Sequence, residues 1–428
     1  MTLSVVMVAL LGVLAMAAVV WLPPLHPAQL WLIPWAIATG LYLMKLFPYR
    51  TLDNKSVVLV CGSSLAFLVG TLGGERITRR RASGLSEPTA PERYAIGWAA
   101  ALALGLTALL LLAFLAQAAS TYGARAALVS TLTVRDAIGQ GAFALTVKYV
   151  YAALAATALC GIAAATDRKN AAIWALGGLA AVGSIYFSTG RSTLVVALVV
   201  GLVAYLLART KPLSRSRFIA GCAGVGVFAV VVFVIGGTLI GKTYANNPGI
   251  QEVSSAFTKH PRLRVLALPY EYASAPIAAL DVQVDASTPW GTAHGCAAFS
   301  EECRVLRRLG LGLQGTSRIR PFTADPLPWN TYTALDVPLL DGGYLLAIPI
   351  VGLVGLVLGW LWTRARGHNV FAICAYAVLA PAAVTSSGSF NLTAPHLVGA
   401  VVIALTAIVL AAPLRRAVRR DPMPVAQF

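Results

Sequence analysis

Charge is what this 428-residue chain lacks: 33 Lys or Arg and 16 Asp or Glu make up only 11% of it, against about 25% in a soluble domain. That deficit excludes an ordinary water-soluble protein. Metal and redox chemistry is equally thin. The chain has five histidines and six cysteines, with no CxxC pair, no metal-ligand spacing and no DxD-like pair, so the residues point to no metal site. No repeat of about 20 to 50 residues recurs, so a solenoid or an obvious duplicated transporter is not supported.

Apolar sequence is what the chain has in abundance, at 58% hydrophobic residues and a mean hydropathy of +0.76. About eleven runs, near 3–22, 29–47, 57–73, 95–117, 142–165, 171–187, 192–208, 218–240, 342–363, 369–386 and 395–413, are long enough to cross a hydrocarbon core of roughly 30 Å. The first run lacks a basic n-region and a small-residue cleavage site, so it reads as a retained helix. The expectation is an all-α polytopic membrane protein of about eleven transmembrane helices with one large periplasmic loop carrying short helices. Residues 1–240 would form an N-terminal bundle of about eight spans, 241–341 the loop, and 342–428 three further spans with a basic cytoplasmic tail. The net charge of +17 then belongs to loops that set orientation and meet anionic lipids or phosphates, which argues against nucleic acid.

Orientation follows from the basic residues. With the C-terminal Arg415, Arg416, Arg419 and Arg420 inside, the loops at 74–94, 166–170, 209–217 and 364–368 are also inside, and together these hold 17 Lys or Arg. The opposite short loops hold six: Lys45, Arg50, Lys55, Arg125, Arg135 and Arg191. This bias places 241–341 outside, although Lys45, Arg50 and Lys55 stand on the disfavoured side.

The segment from Lys242 to Asp341 differs from its surroundings, holding nine of the sixteen acids. A loop this long is usually functional, though a solvated cap on the bundle is the bland alternative. Tyr270-Glu271-Tyr272 and Trp329-Asn330-Thr331-Tyr332 mix rings with polar groups, as sugars require. The pairs Arg262/Arg264 and Arg318/Arg320 offer forks suited to phosphate oxygens. Together they suggest a sugar phosphate at the outer face, although Trp and Tyr also populate interfacial belts. Arg191, in Ser188-Thr189-Gly190-Arg191-Ser192, lies between two closely spaced runs and needs either an anionic partner or a snorkelling path. Lys148 poses the same choice and favours snorkelling. Cys61, Cys160, Cys222 and Cys374 fall in apolar runs as small hydrophobes. Cys296 and Cys303 fall together in the external segment, where a disulfide is expected.

His26-Pro27, Gly40-Leu41-Tyr42, Phe67-Leu68-Val69-Gly70, the Ser188–Ser192 turn, Tyr272–Asp281 (YASAPIAALD) and Trp329–Gly343 (WNTYTALDVPLLDGG) follow in an order that resembles the O-antigen polymerase family of bacterial oligosaccharide repeat-unit polymerases. The resemblance runs from about residue 25 to 365 and is sharpest in Asn330-Thr331-Tyr332-Thr333 and Asp341-Gly342-Gly343. It implies an inner-membrane glycosyltransferase that needs no metal or other cofactor and acts on the periplasmic side. Glycans linked to undecaprenyl diphosphate would be both donor and acceptor, with a chain-length regulator as protein partner. On that reading Arg191 stabilises the leaving diphosphate, followed by Arg262, Arg264, Arg318 and Arg320. Glu271, Asp336 or Asp341 would accept the proton of the attacking hydroxyl, with His260 and His294 as further options. Tyr270, Tyr272, Trp329, Asn330, Thr331 and Tyr332 would bind sugar. Asp341 reads equally well as the cap of a helix starting at Gly342-Gly343.

Two other functions compete. An O-antigen ligase would use the same donor with lipid A core as acceptor. A lipid-linked glycan transporter would need charges buried along several helices and internal symmetry, whereas here the helix interiors are nearly free of charge.

Overall fold

The computed structural model describes residues 3–79, 90–124, 145–188, 191–209, 214–239, 251, 255–285, 293, 295–297, 303, 306–307, 309–310, 323–324, 328–329, 333–388 and 395–420. The helices are α1 (Leu3–Trp21), α2 (Pro27–Leu43), α3 (Asn54–Arg79), α4 (Ala90–Tyr122), α5 (Tyr149–Thr166), α6 (Ala171–Ser184), α7 (Arg191–Ala208), α8 (Arg215–Leu239), the short α9 (Ser255–Lys259), α10 (Ala267–Asp285), α11 (Asp336–Arg366), α12 (Val370–Val384) and α13 (Pro395–Arg420). Each of the eleven apolar runs coincides with one of these helices. Among the described residues, six helical stretches are long and apolar enough to cross a membrane: Leu3–Trp21, Asn54–Thr78, Ala95–Tyr122, Thr146–Thr166, Asp336–Arg366 and His396–Pro413. Ala171–Phe187, Thr193–Ala208, Phe218–Phe228 and Val370–Val384 are apolar but shorter. The chain is an all-α, membrane-embedded protein.

Two compact units form. The first comprises Met1–Thr78, Arg215–Trp360 and Ala380–Pro395, and the second Arg79–Ser214, Leu361–Leu379 and His396–Phe428. In the first, α1 and α2 pack as a hairpin. His26 caps α2 by accepting the Ala28 N–H at its Nδ1, with Pro27 at the first helical position, where a missing N–H costs nothing. Trp31 of α2 stacks on Phe67 of α3 at 4.4 Å and donates its indole N–H to Ser64 Oγ at 3.3 Å.

α3 and α11 meet through glycine. A Cβ on Gly70 would strike the Gly352 carbonyl, on Gly74 that of Leu356, on Gly355 that of Phe67, and on Gly359 that of Thr71. Only backbone on backbone allows this approach, the small-residue crossing that membrane helices use when lipid supplies no hydrophobic drive. In the second unit α5 is buried on nearly every face between α4, α6 and α7, which its run of alanines permits. Gly161 sits against the Gly201 backbone there.

Four expectations change. Residues 74–79 are the last turns of α3, so Glu75 is buried in the bundle rather than solvated in a cytoplasmic loop. The 241–341 segment holds more than short helices, because α10 runs for 19 residues. α11 starts at Asp336, not Gly342, and breaks at Gly343, whose φ of 72° and ψ of −178° suit only glycine. Asp341 thus lies within the opening turns rather than ahead of the helix. Lys148 is the third residue of the Thr146–Thr166 stretch, in the turn just ahead of α5 rather than six residues inside a span, and its ammonium rests 4.7 Å from the Tyr151 ring centre.

Candidate functional site

The polar groups of the first unit gather along α10. Glu271, Ser274 and Asp281 recur at spacings that place them on one stripe of the helix, and all three are buried. This stripe lies against residues 44–53, the connection from α2 to α3. Tyr270 accepts the Leu46 N–H at 3.0 Å and donates to the Leu41 carbonyl at 2.8 Å. Tyr49 pairs with the Ser274 hydroxyl at 2.8 Å, and Asp281 accepts the Asp53 N–H at 2.8 Å. Arg50 Nε lies 2.7 Å from the other oxygen of Asp281. Phe47, Tyr49, Phe257 and Tyr270 close a ring cluster around these bonds, with centroids 5.5 to 5.9 Å apart.

At the far end of α10, Gln283 donates to Asp336 at 2.8 Å, which ties the helix to the start of α11. Ala334 N–H donates to the Ser386 carbonyl at 2.7 Å and anchors the turn before it. Asp341 accepts the Ala297 N–H at 2.8 Å, while Ala293 N–H donates to the Leu340 carbonyl at 3.1 Å. Cys296 and Cys303 are joined by a disulfide with a Cα separation of 5.7 Å, so the bridge is held beside the opening of α11 through Ala293 and Ala297. A two-residue antiparallel ladder, Thr323–Ala324 with Pro328–Trp329, lies against α10.

Burial drives the electrostatics. Tyr49 holds its phenol proton far above the usual value because it is buried, the Ser274 hydrogen bond opposing the shift and Glu271 adding to it. Tyr270 is raised for the same first reason, against the Leu46 hydrogen bond.

Of the expected site residues, Tyr270 and the neighbouring Glu271 stand at one end of α10 and Asp336 is held by Gln283 at the other, with Asp341 five residues further along α11. Glu271 and Asp336 are only 5% and 7% exposed. Tyr270 was expected to bind sugar, and its ring and hydroxyl are instead packed between α10 and the 44–53 connection. Tyr272 is half-buried, Arg262 and His260 are exposed, and Arg264 donates through Nε to the Phe257 carbonyl at 3.3 Å. Arg191 is the first residue of α7 in the second unit, and its side chain lies outside the described residues. So do the Trp329 side chain and all of His294, Arg318, Arg320, Asn330, Thr331 and Tyr332.

Several members had gone unnoticed as site residues: Tyr49, Arg50, Ser274, Asp281 and Gln283. Ser274 and Asp281 lie in the YASAPIAALD stretch, and Arg50 is among the basic residues that stand on the disfavoured side of the charge pattern. Away from this cluster, His26 and Glu75 form a buried pair in the first unit. Because His26 Nδ1 accepts from Ala28, the ring proton sits on Nε2 and points at Glu75 Oε1. Among the described residues no three His, Cys, Asp or Glu side chains converge as a metal site. Comparison with family models, curated proteins and solved structures returns no match for this chain.

Proposed function

We propose that this protein is an inner-membrane glycosyltransferase that polymerises oligosaccharide repeat units linked to undecaprenyl diphosphate, with about eleven spans and the 241–341 segment facing the periplasm. The observation that carries the reading is the buried polar stripe of α10, where Asp281 pairs with Arg50, Glu271 is enclosed, and Gln283, two residues past Asp281, donates to Asp336. A solvated cap would expose such groups, and holding several carboxylates out of water is costly unless they are used or paired. The Cys296–Cys303 bridge supports an oxidising compartment for the segment.

In the reaction a hydroxyl at the non-reducing end of the incoming unit attacks the anomeric carbon of the growing chain. The bond from that carbon to the diphosphate oxygen breaks, and the electron pair leaves with the diphosphate. Fixed guanidinium groups stabilise the charge that develops there, and a carboxylate takes the hydroxyl proton. Asp341 suits the base best, because it is only half-buried while Glu271 and Asp336 are enclosed. The arginines of the 241–341 segment are the proposed diphosphate ligands.

The test is the surface-polysaccharide banding of a deletion strain. A single repeat unit on the lipid A core supports the polymerase. A bare core with polymer retained on its lipid carrier makes the protein a ligase, and an unchanged ladder removes both readings.

A further inference from the structure

Lys45, Arg50 and Lys55 are the anomaly in the charge pattern, since in the proposed orientation they stand on the side that disfavours Lys and Arg. The connection that carries them is firmly built. The Tyr42 phenol donates to the Arg50 carbonyl at 2.5 Å, Tyr270 bridges Leu41 and Leu46, and Tyr49 pairs with Ser274. Arg50 is gripped through Nε by Asp281, whose second oxygen takes the Asp53 N–H. The two ends of that ion pair differ sharply. The Asp281 side chain has no accessible surface, whereas 36% of the Arg50 side chain is accessible, and Lys45 and Lys55 are exposed.

A buried carboxylate thus fixes where a partly dry guanidinium lies. Such a pre-oriented fork is the donor that phosphate oxygens match best. A structural tie between α10 and the connection would account for Asp281 alone. It does not account for three cations clustered where membrane topology selects against them.

We propose that residues 45–55 form an oxyanion site in which Arg50, positioned by Asp281 and flanked by Lys45 and Lys55, holds the diphosphate of a membrane-anchored glycan. This rests on the polymerase reading above. Phospholipid headgroups and free diphosphate share the chemistry, so the test separates them.

Full-length protein in phosphatidylcholine nanodiscs is titrated with farnesyl diphosphate, with inorganic pyrophosphate as competitor and phosphatidylglycerol added to the lipid in a separate arm. The variants are Arg50→Gln, Arg50→Lys and the double Arg50→Gln/Asp281→Asn, which removes both charges so that no buried carboxylate is stranded. Thermal unfolding is followed in parallel. Arg50→Gln should weaken binding about tenfold or more, and Arg50→Lys should recover part of it. The double variant should unfold near the wild-type temperature yet still bind weakly, with pyrophosphate competing in the wild type. Wild-type affinity in a stable double variant overturns this site and leaves the polymerase reading standing. Absence of farnesyl diphosphate binding in the wild type removes the polymerase reading together with the site. Loss of the Arg50-dependent signal to phosphatidylglycerol, with pyrophosphate inert, makes the group a headgroup contact and overturns the assignment.

Discussion

Replacing Glu75 by alanine should be among the most damaging single changes in the first unit. The His26 side chain has no accessible surface and that of Glu75 only 6%, so neither can turn to water when its partner is lost. Breaking a buried pair from one side costs about 3–5 kcal/mol, because the remaining polar group stays desolvated. Glu75→Gln keeps an acceptor for the His26 Nε2–H and should cost nearer 1 kcal/mol. His26→Asn keeps a side chain able to cap α2 at Ala28, so it isolates the link to α3 from the capping bond. The assay is reversible unfolding in mixed micelles with increasing dodecyl sulfate, followed by circular dichroism. In the double-mutant cycle of His26→Asn and Glu75→Gln, the combined loss should fall well short of the sum of the single losses, since both remove one interaction. Equal stability of Glu75→Ala and Glu75→Gln, both within about 1 kcal/mol of wild type, would show that the pair does not hold α3 to the α1–α2 turn.

Further outcomes are expected. Gly355→Ala should destabilise by about 1–3 kcal/mol because its Cβ meets the Phe67 backbone, while Gly105→Ala, with open space around it, should be neutral or slightly stabilising in the same unfolding assay. Tyr49 is favoured in its neutral form by the fold, so its contribution to stability is complete below the ordinary phenol value of 10.0 and is lost as pH rises above it. Alkaline unfolding combined with phenolate absorbance checks this, and Tyr49→Phe should reduce the dependence, Tyr270 supplying part of what remains. Peptide mapping of alkylated, non-reduced protein should recover Cys296 linked to Cys303, and finding both thiols alkylated would contradict the external placement of that segment.

The helices were legible because burial in hydrocarbon is written locally, in composition that persists for a whole span. α10 escaped because Tyr270-Glu271-Tyr272, Ser274, Pro276 and Asp281 interrupt its apolar positions, and averaging over a charged loop hides a helix that is buried by its neighbours. Glu75 read as loop because it follows Gly73-Gly74 and precedes Arg76, and nothing near it in sequence announces His26, 49 residues away. The site was legible only in outline. The carboxylates and rings of the 241–341 segment could be named, but the groups that orient them come from a connection as far as 228 residues upstream, as with the Asp53 N–H and Asp281. Tyr270 shows the cost. Its aromatic neighbours suggested a sugar platform, and long-range bonds to Leu41 and Leu46 make it a strut instead.

The glycine crossing of α3 and α11 has a consequence for how the polar cluster beside α10 could be retuned. α3 begins at Asn54, directly after the residues that meet Asp281, and α11 begins at Asp336. Gly70 lies sixteen residues along α3, roughly 24 Å from that end at 1.5 Å per residue. Since the two backbones touch there, the axes have no slack, and a small change in their spacing is carried up both rods to the groups they present. A substitution in the glycine face between the two helices therefore offers a second way to retune the alignment of Arg50, Gln283 and Asp336 without altering any of them.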